Sequence, residues 1–423
     1  MELEAFLRIG RKILPKKIFR KLQPIYHWLL AFLAAIVYRF PSRKIFILGI
    51  TGTKGKTTTI EIINAILERS GYKTALTSSL RFKIGKESRK NKYKMTMPGR
   101  FFIQRFLHRA VNEKCQYAIL ELTSEGASQY RHKFIDFDAL IFTNLAPEHI
   151  ESHGSFEKYR EAKLKIFKEL ENSKKKTKTI IVNEDDLRAS SFLNFDIENK
   201  IKYGFKNLEE MGITTQLIGE FNLYNISAAI TFAESQSIDF EIIKSAIEKF
   251  QGVEGRMEKI DEGQNFKIIV DYAHTPDSLE KVYETINSRL KTQDSRLICV
   301  LGACGGGRDK WKRPEIGKIA ARYCDQIILT NEDPYDENPV EILDDIEAGF
   351  SEIQNSKFKI RNYEKILDRR EAIRKALSLA KIGDAVIITG KGAEPWVMGP
   401  KGTKIPWDDR EVTREELRKI LPK

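Results

Sequence analysis

The stretch from Ile45 to Ser70 constrains the fold more than any other. Ile45 to Ile50 is an apolar run of strand length, and Thr57–Ser70 repeats apolar residues at helical spacing until Gly71, the expected stop. Joining them, Gly49 to Thr59 reads GITGTKGKTTT. A glycine-rich turn between a strand and a helix start aims backbone N–H groups at one point, where the helix N-terminus adds partial positive charge. Such a turn cradles phosphate oxygens. Lys56 is placed to reach the outer phosphates, and Thr57 to put a hydroxyl on Mg²⁺. The strict pattern G-x-x-x-x-G-K-[ST] is missed by one position: its first slot holds Ile50, and the glycine is Gly49.

Beyond this unit, short apolar runs alternate with amphipathic stretches, which predicts an α/β chain with parallel sheets. Strands are expected at Tyr117–Leu122, Ala139–Thr143 and Thr179–Val182. A second series follows at Lys267–Asp271, Leu297–Leu301, Gln326–Leu329 and Ala385–Thr389, with helices near 277–290, 314–323, 340–353 and 368–380. The break falls near Gly252–Gly263. We therefore expect a basic, apolar N-terminal segment (1–44), a central P-loop domain with a parallel sheet (45–253) and a C-terminal Rossmann-like α/β domain (254–423). At 41% hydrophobic residues, two large cores can be filled.

The net charge of +13 favours anionic partners without choosing among them. The basic stretch 81–94 carries no aromatic ladder, so it reads as a solvated hairpin and no nucleic acid is expected. Cys115, Cys299, Cys304 and Cys324 show no C-x-x-C spacing, so reduced thiols are expected rather than a disulfide. In the N-terminal segment, Ile25–Tyr38 is nearly all apolar and flanked by lysine and arginine. A helix buried against the body, an interfacial membrane helix and a spanning helix are three readings of it.

Two residues stand out on their own chemistry. Glu121 ends an apolar strand near the phosphate turn, where a carboxylate can bind Mg²⁺. Lys163 lies on the apolar stripe formed by Phe156, Tyr159, Ile166, Phe167 and Leu170, not opposite it. An inward lysine is costly unless paired; the alternative is a side chain whose stem packs while its head stays wet.

Several blocks then occur in order: GITGTKGKTTT, ELTSEGASQYR, TNLAPEHIESHGSFEKYREAKLKIF, GEFNLYNISAA, GVEGRMEKI, VDYAHTPDSL, GACGGGRDKWKRP, NEDPYDENP and GKGAE. Together they resemble the muramyl ligase family, nearest to its members that add the third residue of the peptidoglycan stem peptide. The resemblance covers about 45–420. It implies a cytoplasmic ATP-dependent ligase that joins an amino acid to a muramyl-peptide acceptor through an acyl-phosphate. It implies nucleotide contacts at Gly52, Thr53, Gly55, Lys56, Thr57, Thr58, Asn222, Asn225, Arg256, Asp271 and His274. It implies two Mg²⁺ ions held by Thr57, Glu121, His149 and a carbamylated Lys163, with Lys56, Lys163, Arg256 and His149 serving the reaction. Acceptor and amino-acid contacts would fall on Thr96, Pro98, Ser124, Arg131, Arg308, Glu332, Asp333 and Glu394.

Three departures qualify the resemblance. Glu125 stands where these enzymes usually have histidine. Tyr335 takes the place of the arginine in the D-N-P-R motif of diaminopimelate-adding members, which disfavours that amino acid; the acids around it suit a cationic one such as lysine. About 44 residues precede the first strand, too few for the family's UDP-binding domain. A lipid-linked precursor or another polyanionic acid such as a folate is therefore the second reading of the acceptor, with membrane-surface contact through 1–44. A third reading is a nucleotide-binding membrane adaptor without catalysis.

Overall fold

The computed structural model describes residues 16–93, 95–148, 150–290, 294–354 and 362–421. His149 and the basic residues before Lys16 lie outside them. The chain divides into two compact units. The first comprises Met1–Leu145, Arg160–Phe205 and Ser227–Ile243; the second comprises Ala146–Tyr159, Lys206–Ile226 and Lys244–Lys423.

The first unit is built on an eight-stranded sheet of order β4-β3-β2-β5-β1-β6-β7-β8. Its strands are β1 (Phe46–Thr51), β2 (Thr74–Thr77), β3 (Arg81–Ile84), β4 (Glu87–Lys90), β5 (Tyr117–Glu121), β6 (Ala139–Phe142), β7 (Thr179–Asn183) and β8 (Asn199–Tyr203). β1 runs parallel to β5 on one side and β6 on the other, so the chain order reverses across it. In open sheets of this kind ligands bind beyond the strand C-termini at that reversal. The expected hairpin at 81–94 is present as β3 and β4, which pair antiparallel. β4 is wholly exposed, whereas Lys83 on β3 is buried and bonds Thr74 Oγ1 at 2.8 Å.

Ahead of β1 lies α1 (Lys16–Val37). The small side chains Ala31, Ala34 and Ala35 are buried, letting the helix pack closely on α3 (Arg100–Asn112), which follows α2 (Lys56–Arg69). Trp28 and Phe32 meet Phe134, each at a ring separation of 5.3 Å. The opposite row of Leu22, Ile25, Leu29, Leu33 and Ile36 is exposed. The buried-helix reading thus holds for one face only. Among the described residues no helix is long and apolar enough to cross a membrane.

The second unit holds a six-stranded sheet, β13-β12-β11-β14-β10-β9. Its strands are β9 (Glu258–Lys259), β10 (Lys267–Asp271), β11 (Leu297–Leu301), β12 (Gln326–Leu329), β13 (Asn362–Lys365) and β14 (Ala385–Thr389). All pairs are parallel except β9 with β10. Successive strand residues point to opposite faces, and both faces are covered. Ile269, Cys299, Leu301 and Ile387 enter one core, while Ile268, Ile298, Val300 and Ile388 enter the other. That is why these strands read as unbroken apolar runs.

The reduced-thiol expectation is corrected: Cys299 and Cys324 form a disulfide, with Cα atoms 6.1 Å apart. Cys299 faces the core that the helix Lys312–Tyr323 covers, and Cys324 ends that helix. The sheet makes them neighbours across a 25-residue separation that carries no spacing signal.

Candidate active site

The phosphate turn leaves β1 and enters α2 at Gly55, the N-cap, whose φ of 83° suits glycine. Gly52 is held closer still. A Cβ there would meet Thr143 Oγ1 at 1.9 Å, so no side chain fits. The turn is braced from the end of β6. Asn144 accepts from the Thr53 and Lys54 backbone N–H groups at 2.8 and 2.9 Å, and Thr143 donates to the Lys54 carbonyl at 2.7 Å. Lys56 curls over its own turn, donating to the Gly52 and Thr53 carbonyls at 3.1 and 3.0 Å. Thr58 is buried in the first turn of α2.

Three oxygen-bearing groups converge beside it. Glu121, at the end of β5, is 3% exposed. Its Oε2 accepts from Thr57 Oγ1 at 3.0 Å and from the Ser79 backbone N–H at 2.8 Å, and the Thr57 and Ser79 hydroxyls lie 2.9 Å apart. Ser79 was not legible as a site residue; the one signal was its place just after a strand of the same parallel set. A carboxylate and hydroxyls form a hard, oxygen-only donor set, which fits Mg²⁺ because that ion keeps waters and phosphate oxygens as its other ligands. Among the described residues no cluster of three His, Cys, Asp or Glu side chains offers an all-protein cage.

Lys163 comes to the same turn. It lies on α5 (Phe156–Glu171, following the short helix α4 at Ser124–Ser128) amid the fully buried Tyr159, Ile166, Phe167 and Leu170. The side chain is 2% exposed, and Nζ donates to the Gly52 carbonyl at 2.8 Å. The inward reading therefore holds, and the wet-headed alternative is set aside.

On the other side of Glu121, Thr123 caps α4, its Oγ1 accepting from Gly126 N at 3.1 Å. Met97, between Thr96 and Pro98, presses its sulfur against this cap, 3.2 Å from Thr123 N. Ser124 is buried there. Arg131 ties the two segments, donating to the Met97 carbonyl and to Gln129 Oε1, the latter at 2.7 Å. Thr96, Pro98, Ser124 and Arg131 are thus brought together in the first unit.

In the second unit Asn222 and Asn225 are buried near the start of the helix Glu220–Ser235 and bond each other at 3.0 Å. Asp271 ends β10 and accepts two backbone N–H groups, Met257 and Ala273, each at 2.7 Å. His274 Nδ1 lies 2.8 Å from the Tyr272 carbonyl, and its Nε2 is 3.6 Å from Glu148. Arg256 stacks its guanidinium over the Tyr272 ring at 4.0 Å. Arg308 is exposed. Two cations that follow it in sequence are already paired: Arg313 is buried and bonded to Glu337 and Asp345 at 2.8 and 2.9 Å, and Lys310 pairs with Glu337 at 3.1 Å. These two cations hold the glycine-rich turn to its own unit.

Glu332, Asp333 and Glu394 also come together, but around a cation of the chain itself. Lys391, fully buried, donates to Asp333 at 2.8 Å and Glu394 at 2.6 Å. Burial alone would lower this ammonium's pKa; Glu394 and Asp333 outweigh it and hold the group well above the ordinary lysine value. Glu332 takes the Cys304 thiol at 2.9 Å and leaves Oε2 buried without a partner. Burial pushes its carboxyl pKa up. Two of the acids that suit a cationic amino acid, Asp333 and Glu394, thus each give one oxygen to Lys391.

Comparison with known proteins accords with this geometry. The family model for the Mur ligase middle domain matches residues 50–211, and that for the Mur ligase glutamate ligase domain matches 255–392. A UDP-N-acetylmuramoyl-L-alanyl-D-glutamate–2,6-diaminopimelate ligase of Syntrophomonas wolfei is 39% identical, covering 92% of this chain and 81% of that protein. A Geobacillus kaustophilus ligase of the same description is 35% identical over 92% and 82%. A solved structure of a ligase so described superposes with a TM-score of 0.57 at 28% identity, covering 89% of this chain and 78% of the other. A Mycobacterium tuberculosis folylpolyglutamate synthase reaches 0.68 at 14% identity over 92% and 96%, a likeness of fold alone. The relatives are ligases that form an amide bond at the expense of ATP, and this chain is one such enzyme. With both family models matched in order and close relatives covered over most of their length, the chain belongs to the Mur ligase family.

Proposed function

We propose that this chain adds an amino acid to a UDP-N-acetylmuramyl dipeptide in the cytoplasm, as a step of peptidoglycan biosynthesis. The observation that carries the reading is the convergence of Thr57, Ser79 and Glu121 beside a turn to which both Lys56 and Lys163 are bonded. Residues 45–253 are read as the ATP-binding domain and 254–423 as the amino-acid-binding domain, behind the N-terminal segment 1–44. Asn222, Asn225, Arg256, Asp271 and His274 are read as nucleotide contacts. Thr96, Pro98, Ser124 and Arg131 are read as acceptor contacts, and Arg308, Glu332, Asp333 and Glu394 as amino-acid contacts.

A carboxylate repels nucleophiles, so it must be activated. An acceptor carboxylate oxygen bonds the γ-phosphorus of ATP, the bond to the bridging oxygen breaks, and ADP leaves. The amine of the amino acid then attacks the acyl carbon, loses a proton, and expels phosphate. Backbone N–H groups at Gly52–Thr58 hold the phosphates, and Lys56 swings from its carbonyl partners to the charge building on the transferred group. Thr57 and Glu121 would hold Mg²⁺, which would supply charge neutralisation there. A second ion is read at His149 and Lys163, the latter carrying a carbamate formed from its amine and carbon dioxide. The amine that the carbamate would form on is buried, 2% exposed, with Nζ at the Gly52 carbonyl.

Tyr335 stands where the resembled D-N-P-R motif of diaminopimelate-adding enzymes has its arginine. Its backbone N–H donates to the Met398 carbonyl at 3.2 Å, and its ring lies against Gly306. An amino acid other than diaminopimelate is the reading this supports. A panel of amino acids, offered with UDP-linked and lipid-linked muramyl dipeptides and read by mass spectrometry, tests it. No product with any pair overturns the reading.

A peripheral membrane contact rests on a separate observation. The exposed row Leu22, Ile25, Leu29, Leu33 and Ile36 on α1 is flanked in sequence by lysine and arginine, as in helices that lie in an anionic interface. The same row favours a lipid-linked acceptor as the second reading. Flotation with vesicles containing phosphatidylglycerol, lost in the Leu29→Glu/Leu33→Glu double variant, tests the contact; no flotation of the intact protein overturns it.

A further inference from the structure

A second arginine lies beside Arg131. Arg100, the first residue of α3, donates through Nη2 to the Gln129 carbonyl, while Arg131 donates to the Gln129 side chain at 2.7 Å. One residue thus draws two guanidinium groups together. Arg131 also donates to the Met97 carbonyl and approaches the Met95 sulfur at 3.7 Å. None of these partners is an anion. Among the described residues neither arginine forms an ion pair; Glu125 acts on Arg131 only through its field. The Nε atoms of both arginines and the hydroxyl of Tyr26, on α1, are buried without hydrogen-bond partners.

Two like charges set side by side, neither in an ion pair, are costly to fold. Burial, then the neighbouring Arg131, pushes the Arg100 pKa down to about 10. The family's Arg131 position already points to the acceptor; Arg100 and the N-terminal helix do not follow from it. We infer that Arg100 and Arg131, with Tyr26 near Arg100, form a dicationic subsite for the phosphate groups of the acceptor's carrier. A phosphoryl group accepts from two planar guanidinium forks at once, and a diphosphate balances two charges where one carboxylate balances one. The subsite adjoins Thr96 and Pro98 through Met97, so phosphates held there would lead the acceptor toward the substrate loop. This inference rests on the proposed muramyl-ligase reading and adds the chemistry by which the carrier is held.

The test uses the full chain saturated with Mg²⁺ and a non-hydrolysable ATP analogue, so that the phosphate turn is filled. Inorganic pyrophosphate and UDP are then titrated calorimetrically. Both bind the native protein, and Arg100→Gln weakens each about 10- to 100-fold, the worth of a lost charge-assisted contact. Arg100→Lys, which keeps the charge, recovers part of the loss, and circular dichroism confirms that both variants fold. In ligation assays Arg100→Gln raises KM for the UDP-linked acceptor and leaves KM for ATP unchanged. With a phosphate-free muramyl dipeptide it matches the native enzyme. Pyrophosphate binding that ignores the substitution, or an equal loss with the phosphate-free dipeptide, overturns the subsite. Ligation proceeding with an unchanged acceptor KM removes the subsite and spares the ligase reading. Arg100-dependent pyrophosphate binding without any ligation does the reverse.

Discussion

Lys163 Nζ donates to the carbonyl oxygen of Gly52 at 2.8 Å, joining a helix stripe to the phosphate turn across 111 positions of the chain. Lys56 donates to the same oxygen at 3.1 Å. One backbone atom therefore gathers both lysines assigned to the reaction, and the tight fit of Gly52 against Thr143 fixes where that atom stands.

Lys163→Ala should abolish ligation, measured as acceptor-dependent phosphate release. Formate or acetate should restore part of it by standing in for the carbamate oxygens. Full activity in the variant would rule out a role for the modified lysine.

Glu121→Gln keeps the shape that Thr57 and Ser79 bond to but removes the charge that a cation needs. It should lower kcat by about 100-fold or more and raise the Mg²⁺ concentration required. Chelation of Mg²⁺ should stop the native enzyme altogether. An unchanged Mg²⁺ dependence in the variant would place the ion elsewhere.

Gly52→Ala should lose ATP binding while the protein remains folded, since the added methyl meets Thr143 Oγ1 at 1.9 Å in the turn beyond the C-terminal end of β1. Nucleotide titration alongside circular dichroism checks this. Native ATP affinity would contradict the fit described for this turn.

Arg369 and Asp409 are both fully or nearly buried, bonded at 2.7 and 2.8 Å, and Arg369 also donates to the Thr389 carbonyl at the end of β14. Arg369→Ala leaves the Asp409 charge without its partner and should cost about 3–5 kcal/mol, read by urea unfolding. A loss below about 1 kcal/mol would mean that water replaces the pair.

Glu416 carries a pH dependence. Burial raises its pKa, but Arg374, Lys419 and Arg370 outweigh this and bring it from 4.5 to about 2. A depressed carboxyl stabilises the fold above its unfolded pKa, and that contribution fades as pH falls from about 4.5 to about 2. Glu416→Gln should lose about 1–2 kcal/mol at neutral pH, the screening of its exposed arginines allowed for. The gap to the native protein should close in acid. A gap that stays constant with pH would assign the loss to packing.

The sequence by itself determined what rests on local periodicity and local chemistry. The four strands expected in the second unit fall at the residues their apolar runs marked, because strands buried on both faces need unbroken apolar sequence. The turn at Gly52–Thr57 and the inward face of Lys163 were legible for the same reason: a strand, a helix start and a helical stripe are each written within a few residues. Only the tertiary structure decided which distant groups meet. Ser79 reaches Glu121 because β2 lies beside β5, and Cys299 reaches Cys324 because a helix returns over its sheet. Lys391 pairs with Asp333, and Glu337 claims Arg313, because turns at neighbouring strand ends converge. Charge pairing is a property of distance in space, and the order of residues along a chain does not encode that distance until the sheets have formed.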